Sequence, residues 1–509
     1  MTDSVPPTIP HAAERAALLF ADAAAVMLPD RTWSFGELWA EARRAASAFL
    51  ATGIGTGDRV AIWAPNSLEW IVATIGAQIA GAAIVPLNTR LKGREAGDIL
   101  RRAGCRVLLT VASFLGTDYP ALLRDEDLPA LEHTILFDGG WHAFLDKGLN
   151  GPAVEAALAA LTPDHLSDIL FTSGTTGSPK GVMHTHGRVI PNFADWARVT
   201  DLRPGDRYLI ANPFFHTFGY KAGWVAALIQ GATIIPMPVF DVARTIRHIE
   251  EDRISFIPGP PTIYQSLLAQ LADRAFDSSS LRVAVTGAAT VPPVLIRRMQ
   301  DELGFKTVVT GYGMTECGSI TMCRSGDLVE LVASSCGRAL SGLEVRVAGA
   351  DARELPSGET GEILVRGYGV MLGYLDDPEA TAEAIDADGW LHTGDVGVMD
   401  GANYLRITDR VKDMYISGGF NCYPAEIEKI LCEHPAIAMA AVIGVPDERM
   451  GEVGKAFIVA RPGQSANVDE IAAWARKNIA NYKLPRSIVV LDALPQNASG
   501  KVMKTELRN

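Results

Sequence analysis

Small and hydroxyl-bearing residues crowd one stretch of the chain, Phe171-Thr172-Ser173-Gly174-Thr175-Thr176-Gly177-Ser178-Pro179-Lys180-Gly181. Gly174 and Gly177 let backbone N–H groups approach phosphate oxygens. The hydroxyls of Thr172, Ser173, Thr175 and Thr176 add donors, and Lys180 adds a cation. The β-prone residues 169–172 place a strand directly ahead of this run. The chemistry is phosphate binding. It is not that of a Walker A loop, which needs Gly before its Lys and Ser or Thr after it; here Pro179 and Gly181 flank Lys180.

Four further groups could complete a nucleotide site. Thr310-Gly311-Tyr312-Gly313-Met314-Thr315-Glu316 follows a predicted strand and so falls at a strand's carboxyl end, where α/β folds bind ligands. Gly311 and Gly313 allow close backbone approach, and Tyr312 offers a flat face to a base. Thr315 can donate to phosphate, and Glu316 can hold Mg2+. Gly287-Ala288-Ala289 closes another predicted strand and could wall an adenine. Asp395, in Thr393-Gly394-Asp395, could accept both hydroxyls of a ribose, and Arg410 could meet the same ribose or a phosphate. Lys501, in Ser499-Gly500-Lys501, reads on its own as a solvated charge; only its company suggests more.

Composition narrows the class. The 509 residues are 48% apolar and 21% charged, which excludes wholesale disorder and allows a large core. The 46 Lys and Arg against 59 Asp and Glu leave a net charge of −13. That argues against nucleic acid or an anionic membrane surface as partner, while a local site can still oppose the global sign. The six cysteines show no CxxC pair and no zinc spacing, so they read as free thiols of a reducing compartment. No G-x-S-x-G elbow is present, which argues against a serine hydrolase. Gly367-Tyr368-Gly369 reaches Gly373 one residue late for a dinucleotide fingerprint. The first 14 residues contain no Lys or Arg, and the longest apolar stretch, residues 71–87, is interrupted by Gln78, Gly81 and Pro86. The expectation is a cytoplasmic protein without a membrane span, with that stretch forming a buried helix and then a strand.

The elements that must position these groups alternate. Short strands at residues 60–63, 107–110, 169–172, 208–211, 233–236, 283–286 and 307–310 are separated by helical patterns, which predicts layered sheets flanked by helices. From Ser341 short strands with Gly turns predict a β-rich subdomain. The last hundred residues read as a small α+β unit, with Asn467 as the N-cap of one helix. The charged residues 409–413 read as the linker, giving an N-terminal domain of residues 1–410 and a C-terminal domain of residues 411–509.

Together these motifs resemble the adenylate-forming superfamily of acyl-CoA synthetases, adenylation domains and firefly-type luciferases. The resemblance includes Pro213-Phe214-Phe215-His216, Gly361-Glu362-Ile363 and Ser417-Gly418-Gly419, and it covers nearly the whole chain. It implies a large α/β N-terminal domain and a small mobile C-terminal one. It implies ATP, Mg2+ and coenzyme A, and two half-reactions through an acyl-adenylate. Carried over, Thr172–Lys180 resembles the phosphate loop, with Thr172 and Glu316 near the metal. Gly287, Ala288, Ala289 and Tyr312 resemble the adenine walls, with Gly311 and Gly313 beside Tyr312 in the cofactor site, and Asp395 and Arg410 resemble the ribose contacts. Lys501, His216, Thr315 and Glu316 resemble the catalytic set, and Lys412 the hinge. Ser417, Gly418 and Gly419 resemble the lining of the pantetheine tunnel. The stretches 212–223, 258–266, 285–292 and 413–420 resemble the branch that activates a bicyclic indanedione propanoate derived from steroid rings C and D. Phe215, His216, Tyr220 and Lys221 are then the candidate acid contacts. A fatty acid ligase and a stand-alone adenylation enzyme loading a carrier protein are the alternatives, and homo-oligomerisation is left open.

Overall fold

Short β-branched runs between amphipathic helices leave each strand with two apolar faces, so the strands must be covered on both sides. In the computed structural model they assemble into two large sheets. The structure describes residues 5–148, 151–172, 179–273, 275–287, 291, 293–410, 413–417, 420–447, 450–479, 483–496 and 502–508.

The nine-stranded sheet runs in the order Arg338–Ala339, Gly318–Met322, Thr307–Met314, Val283–Gly287, Phe256–Gly259, Arg207–Ile210, Thr233–Pro236, Ala24–Met27 and Thr32–Ser34. Its middle six strands are parallel. The seven-stranded sheet runs Gly373–Tyr374, Lys180–Thr185, Leu166–Thr172, Ala83–Pro86, Arg59–Trp63, Val107–Thr110 and His133–Leu136. Its last five are parallel, and the first two are antiparallel additions at one edge.

One continuous apolar core joins both sheets. The helix Leu68–Ile79 runs through it, with every residue except Glu69 buried. Ser67 caps it by accepting from the Trp70 N–H at 3.2 Å. This is the expected buried helix, and the strand Ala83–Pro86 follows it. The helix Phe35–Ala51 packs on it and begins with a reciprocal cap between Ser34 and Glu37.

The expected β-rich subdomain is a four-stranded antiparallel sheet of Leu343–Ala348, Thr360–Gly367, Leu391–Met399 and Leu405–Arg410. Beyond it, Tyr415–Ser417, Phe420–Cys422, Ile437–Asp447, Gly451–Ala460 and Ser487–Val490 form a separate sheet with its own apolar clusters. Asn467 caps the helix Val468–Asn478, accepting from the Asp469 N–H at 3.0 Å. All six cysteines are free. Among the described residues no helix is long and apolar enough to cross a membrane.

Two expectations change. Asp409 and Arg410 are not linker; they pair with Val396 and Asp395 in the four-stranded sheet. Val411 and Lys412 lie outside the described residues. The strand expected at residues 307–310 continues to Met314 and turns back into Gly318–Met322. Gly311 and Gly313 therefore sit inside a hairpin, and the partner strand dictates their identity. A Cβ on Gly311 would fall 2.0 Å from Met322 Sδ, and one on Gly313 would fall 2.3 Å from the Gly318 carbonyl oxygen.

The two obstacles differ in kind, since a thioether can rotate away and a backbone carbonyl in a hairpin cannot. Gly313→Ala should lower stability by about 2 to 3 kcal/mol and Gly311→Ala by less, read as midpoints of denaturant unfolding. Equal losses would show that the hairpin backbone yields as easily as the Met322 side chain.

Candidate active site

Thr172 and Lys180 stand opposite each other in the antiparallel pair Leu166–Thr172 and Lys180–Thr185. The Thr172 hydroxyl donates to the Lys180 carbonyl at 3.4 Å. The two strands thus clamp the ends of the glycine-rich loop. Its residues Ser173, Gly174, Thr175, Thr176 and Gly177 lie outside the described residues.

From Lys180 a chain of contacts leads to the turn at Thr315 and Glu316. The Lys180 ammonium lies 4.9 Å from the centre of the Tyr374 ring. The Tyr374 hydroxyl donates to Glu316 Oε1 at 3.1 Å. Burial first, then the Glu316 charge, push the Tyr374 phenol above its ordinary pKa, so it remains a donor. The Glu316 carbonyl accepts from the Met371 N–H at 2.7 Å, and Met183 accepts from the Leu372 N–H at 2.9 Å. His184 Nε2 lies 2.7 Å from the Thr315 carbonyl oxygen. A carbonyl only accepts, so the ring proton sits on Nε2. Burial, and then the Lys221 charge, hold His184 well below the usual imidazole pKa, and the ring is neutral.

The expected base and ribose contacts converge from two sheets. The Tyr312 hydroxyl donates to Asp395 Oδ2 at 2.6 Å, and both side chains are buried. Asp395 is held in turn by the strand Leu391–Met399. Its own N–H donates to Thr393 Oγ1 at 3.1 Å, and the Gly394 N–H donates to Glu362 Oε1 at 3.1 Å. Gly394 has φ +68°, a turn conformation that favours glycine. Strand register sets Gly287 beside Gly311 and Asp395 beside Arg410. Ala288, Ala289, Gly418, Gly419 and Lys501 lie outside the described residues. Ser417 is buried in the C-terminal sheet, paired with Phe420.

His216 forms another wall. It caps the short helix Thr217–Gly219, its Nδ1 accepting from the Phe218 N–H at 3.2 Å, so its proton is on Nε2. The residue is exposed, and desolvation by the protein around it lowers its pKa. It is a neutral donor at Nε2. Asn66 fixes this segment: its Oδ1 accepts from the Phe214 N–H at 2.7 Å, and its Nδ2 donates to the Asn212 carbonyl at 2.9 Å. Phe215 is partly exposed.

Tyr220 and Lys221 do not share the exposure of His216. They are 0% and 1% exposed, respectively. Tyr220 packs against Trp70 and Trp224, and its hydroxyl accepts from Gln78 Nε2 at 3.0 Å. The Lys221 ammonium lies 2.8 Å from Asp168 Oδ1. The expectation that both offer polar contacts to an acid is corrected: their polar atoms point into the core.

Sequence reasoning missed Tyr374, His184, Asn66 and Asp168. Asp168 did leave a signal, because a carboxylate between Ser167 and apolar Ile169-Leu170 in a central strand demands a buried partner. Tyr374 left none.

Among the described residues no group of three or more His, Cys, Asp or Glu could hold a metal. The donor set still fits Mg2+, which takes one or two carboxylates together with substrate phosphates. Glu316 would supply a carboxylate, and Thr172 ends the strand that leads into the expected phosphate loop.

Comparison with known proteins places the chain in a family. Residues 13–375 match the AMP-binding enzyme family, and residues 426–501 match the AMP-binding enzyme C-terminal domain. The chain is 51% identical to the 7a-methyl-1,5-dioxo-octahydro-indenyl propanoyl:CoA ligase of Mycobacterium tuberculosis, over 98% of each chain. It is similar in structure to an anthranilate CoA ligase in complex with anthranoyl-AMP, with a TM-score of 0.89 and 28% identity, covering 99% of this chain and 97% of that one. It is also similar to the o-succinylbenzoate CoA synthetase of Bacillus subtilis in complex with ATP and a magnesium ion, with a TM-score of 0.82 and 30% identity, covering 99% and 100%.

The bond between Tyr312 and Asp395 gives a direct test of the nucleotide wall. Tyr312→Phe keeps the flat ring but leaves the buried carboxylate without that donor. ATP should bind about fivefold more weakly by calorimetry, a loss of about 1 kcal/mol. Unchanged affinity would remove the bond from nucleotide binding.

Proposed function

The chain belongs to the AMP-binding enzyme family, and from that membership we propose its acid substrate and the work of its site residues. It is an AMP-forming acyl-CoA synthetase that uses ATP, Mg2+ and coenzyme A. The proposed acid is the bicyclic indanedione propanoate of steroid origin. One observation carries this choice: 51% identity over 98% of both chains to a ligase for that acid.

In the first half-reaction the acid's carboxylate oxygen attacks the α-phosphorus of ATP. A P–O bond forms, the bond to the bridging oxygen breaks, and pyrophosphate leaves. The attack joins two anions, so it needs converging donors. Lys180 and the loop from Thr172 to Gly177 hold the β- and γ-phosphates. Thr315 donates to phosphate, and Mg2+ bound near Glu316 and Thr172 would neutralise charge on it. Tyr312, with Gly287, Ala288, Ala289, Gly311 and Gly313, receives the adenine. Asp395 and Arg410 hold the ribose. His216, neutral and protonated on Nε2, donates to an oxygen of the carboxylate or α-phosphate, and Phe215 packs on the acyl group. Lys501 bridges the carboxylate and the α-phosphate.

In the second half-reaction the thiol of coenzyme A gives up its proton and its sulfur attacks the acyl carbon. The C–O bond to AMP breaks, and AMP leaves. Ser417, Gly418 and Gly419 line the thiol's approach. The change of task between steps is assigned to rotation of residues 411–509 against residues 1–410, with Lys412 as hinge. The sheet boundary supports that division, since Arg410 ends the last strand of one sheet and Tyr415 opens another. The proposed setting is the cytoplasm, where ATP and coenzyme A are supplied.

A product assay tests the acid. The enzyme is given ATP, Mg2+, coenzyme A and a pool containing the bicyclic propanoate and straight chains of several lengths, and thioesters are identified by mass. A single bicyclic thioester is expected; a ladder of alkyl thioesters would make this a fatty acid ligase. Thioester on an added carrier protein, with none on coenzyme A, would make it a loading enzyme.

A second test separates the half-reactions. Lys501→Ala should slow adenylate formation by about 100-fold or more while thioester formation from supplied acyl-adenylate stays within a few-fold of wild type. Equal loss in both would contradict the division of labour.

A further inference from the structure

Lys221 and Asp168 form an ion pair with almost no exposed surface, at 1% and 0%. Such a pair is a poor stabiliser, because the desolvation of two charges offsets their attraction, and apolar replacements often do as well. Its position suggests another use. Lys221 lies in the π-helical turn Tyr220–Val225, directly after the cap formed by His216. Asp168 lies in the strand Leu166–Thr172, which ends at the phosphate loop. The pair therefore ties the wall carrying His216 to the strand carrying Thr172.

A second link continues from there. His184 stands directly opposite Asp168 in the antiparallel pair, so both side chains rise from the same face of the sheet. The Ser167 hydroxyl lies 2.7 Å from Asp168 Oδ2 and 3.0 Å from the His184 carbonyl. Gln78 Nε2 reaches both the Ser167 carbonyl and the Tyr220 hydroxyl at 3.0 Å. His184 Nε2 then holds the Thr315 carbonyl at 2.7 Å.

We propose that Lys221, Asp168 and His184 are one positioning unit that sets the distance between the acid wall at His216, the phosphate strand at Thr172 and the turn at Thr315–Glu316. None of the three touches substrate. Their role is to hold three substrate-contacting segments in register for the attack of carboxylate on phosphorus. The unit bears chiefly on adenylate formation, since only that half-reaction needs the phosphate strand at Thr172 in register with the acid wall while the β- and γ-phosphates are held. The inference rests on the adenylation chemistry proposed above.

The test compares the half-reactions in the full-length enzyme, per folded molecule, using acid-dependent exchange of pyrophosphate into ATP and thioester formation from supplied acyl-adenylate. Asp168→Asn and Lys221→Met each leave a buried charge and can fail to fold. The double variant Asp168→Asn/Lys221→Met leaves none and keeps the test open. It should slow exchange by about 10- to 100-fold, the scale of a roughly 1 Å misplacement, while thioester formation stays within about threefold. His184→Phe should do the same, and His184→Gln, which can present an N–H near the position of Nε2, should restore most of the loss. Wild-type exchange by the double variant, or equal loss in both steps, would overturn the proposal. So would equal defects in His184→Phe and His184→Gln. A wild-type enzyme without acid-dependent exchange would instead overturn the adenylation reading itself.

Discussion

The hydrogen bond from His184 Nε2 to the Thr315 carbonyl joins two sheets built from distant parts of the chain. His184 belongs to the seven-stranded sheet, and Thr315 follows the Thr307–Met314 strand of the nine-stranded one. A phosphate site needs donors from several directions at once, and no single strand end can supply them. In the proposed site the seven-stranded sheet brings Lys180 and Thr172, and the nine-stranded sheet brings Tyr312 and, in the turn after its strand, Thr315 and Glu316. The segment at Met371 and Leu372 adds backbone bonds to Glu316 and Met183, so the seam is fastened on both sides of the turn.

Charge state keeps that seam fixed. His184 would repel a nearby ammonium if it were protonated, and its burial and the Lys221 charge both hold it neutral. His186, just beyond it, is pushed down to about 3 by burial. Its Nδ1 accepts from the Ile9 N–H at 3.3 Å, docking the first helix of the chain. Among the described residues the proposed phosphate site thus combines the cation Lys180 with His184, a neutral donor that fixes the backbone at Thr315. The chain as a whole carries a net charge of −13. Any affinity of the proposed site for phosphate must come from local arrangement, since the overall charge opposes it.

The fold class was readable because β-branched runs and turn residues are local signals. The strands at residues 107–110 and 233–236 fall where the structure has them, and others differ by a few residues at their ends. The family was readable because its motifs are contiguous. The misreadings share a cause. The strand through Gly311 and Gly313 was cut short because glycine is a weak strand former, and only the close Gly318–Met322 strand makes it the residue required. Lys221 was read as a substrate contact because its stretch, residues 212–223, resembles one that lines an acid pocket. Its partner is Asp168, more than fifty residues earlier, and long-range pairing leaves no local trace. Tyr374 and Asn66 were invisible for the same reason.

The hairpin at Gly311 and Gly313 bears on how relatives of this chain are judged. Those glycines face an adjoining strand, so any descendant that keeps the hairpin is pressed to keep them, Gly313 most of all, whether or not it still turns over a nucleotide. A duplicated copy that had lost its chemistry and survived as a scaffold would still display Gly-Tyr-Gly. The informative positions in such a copy are those with no architectural duty. Drift would erase them first, and inspecting them would separate a working enzyme from a silent paralogue.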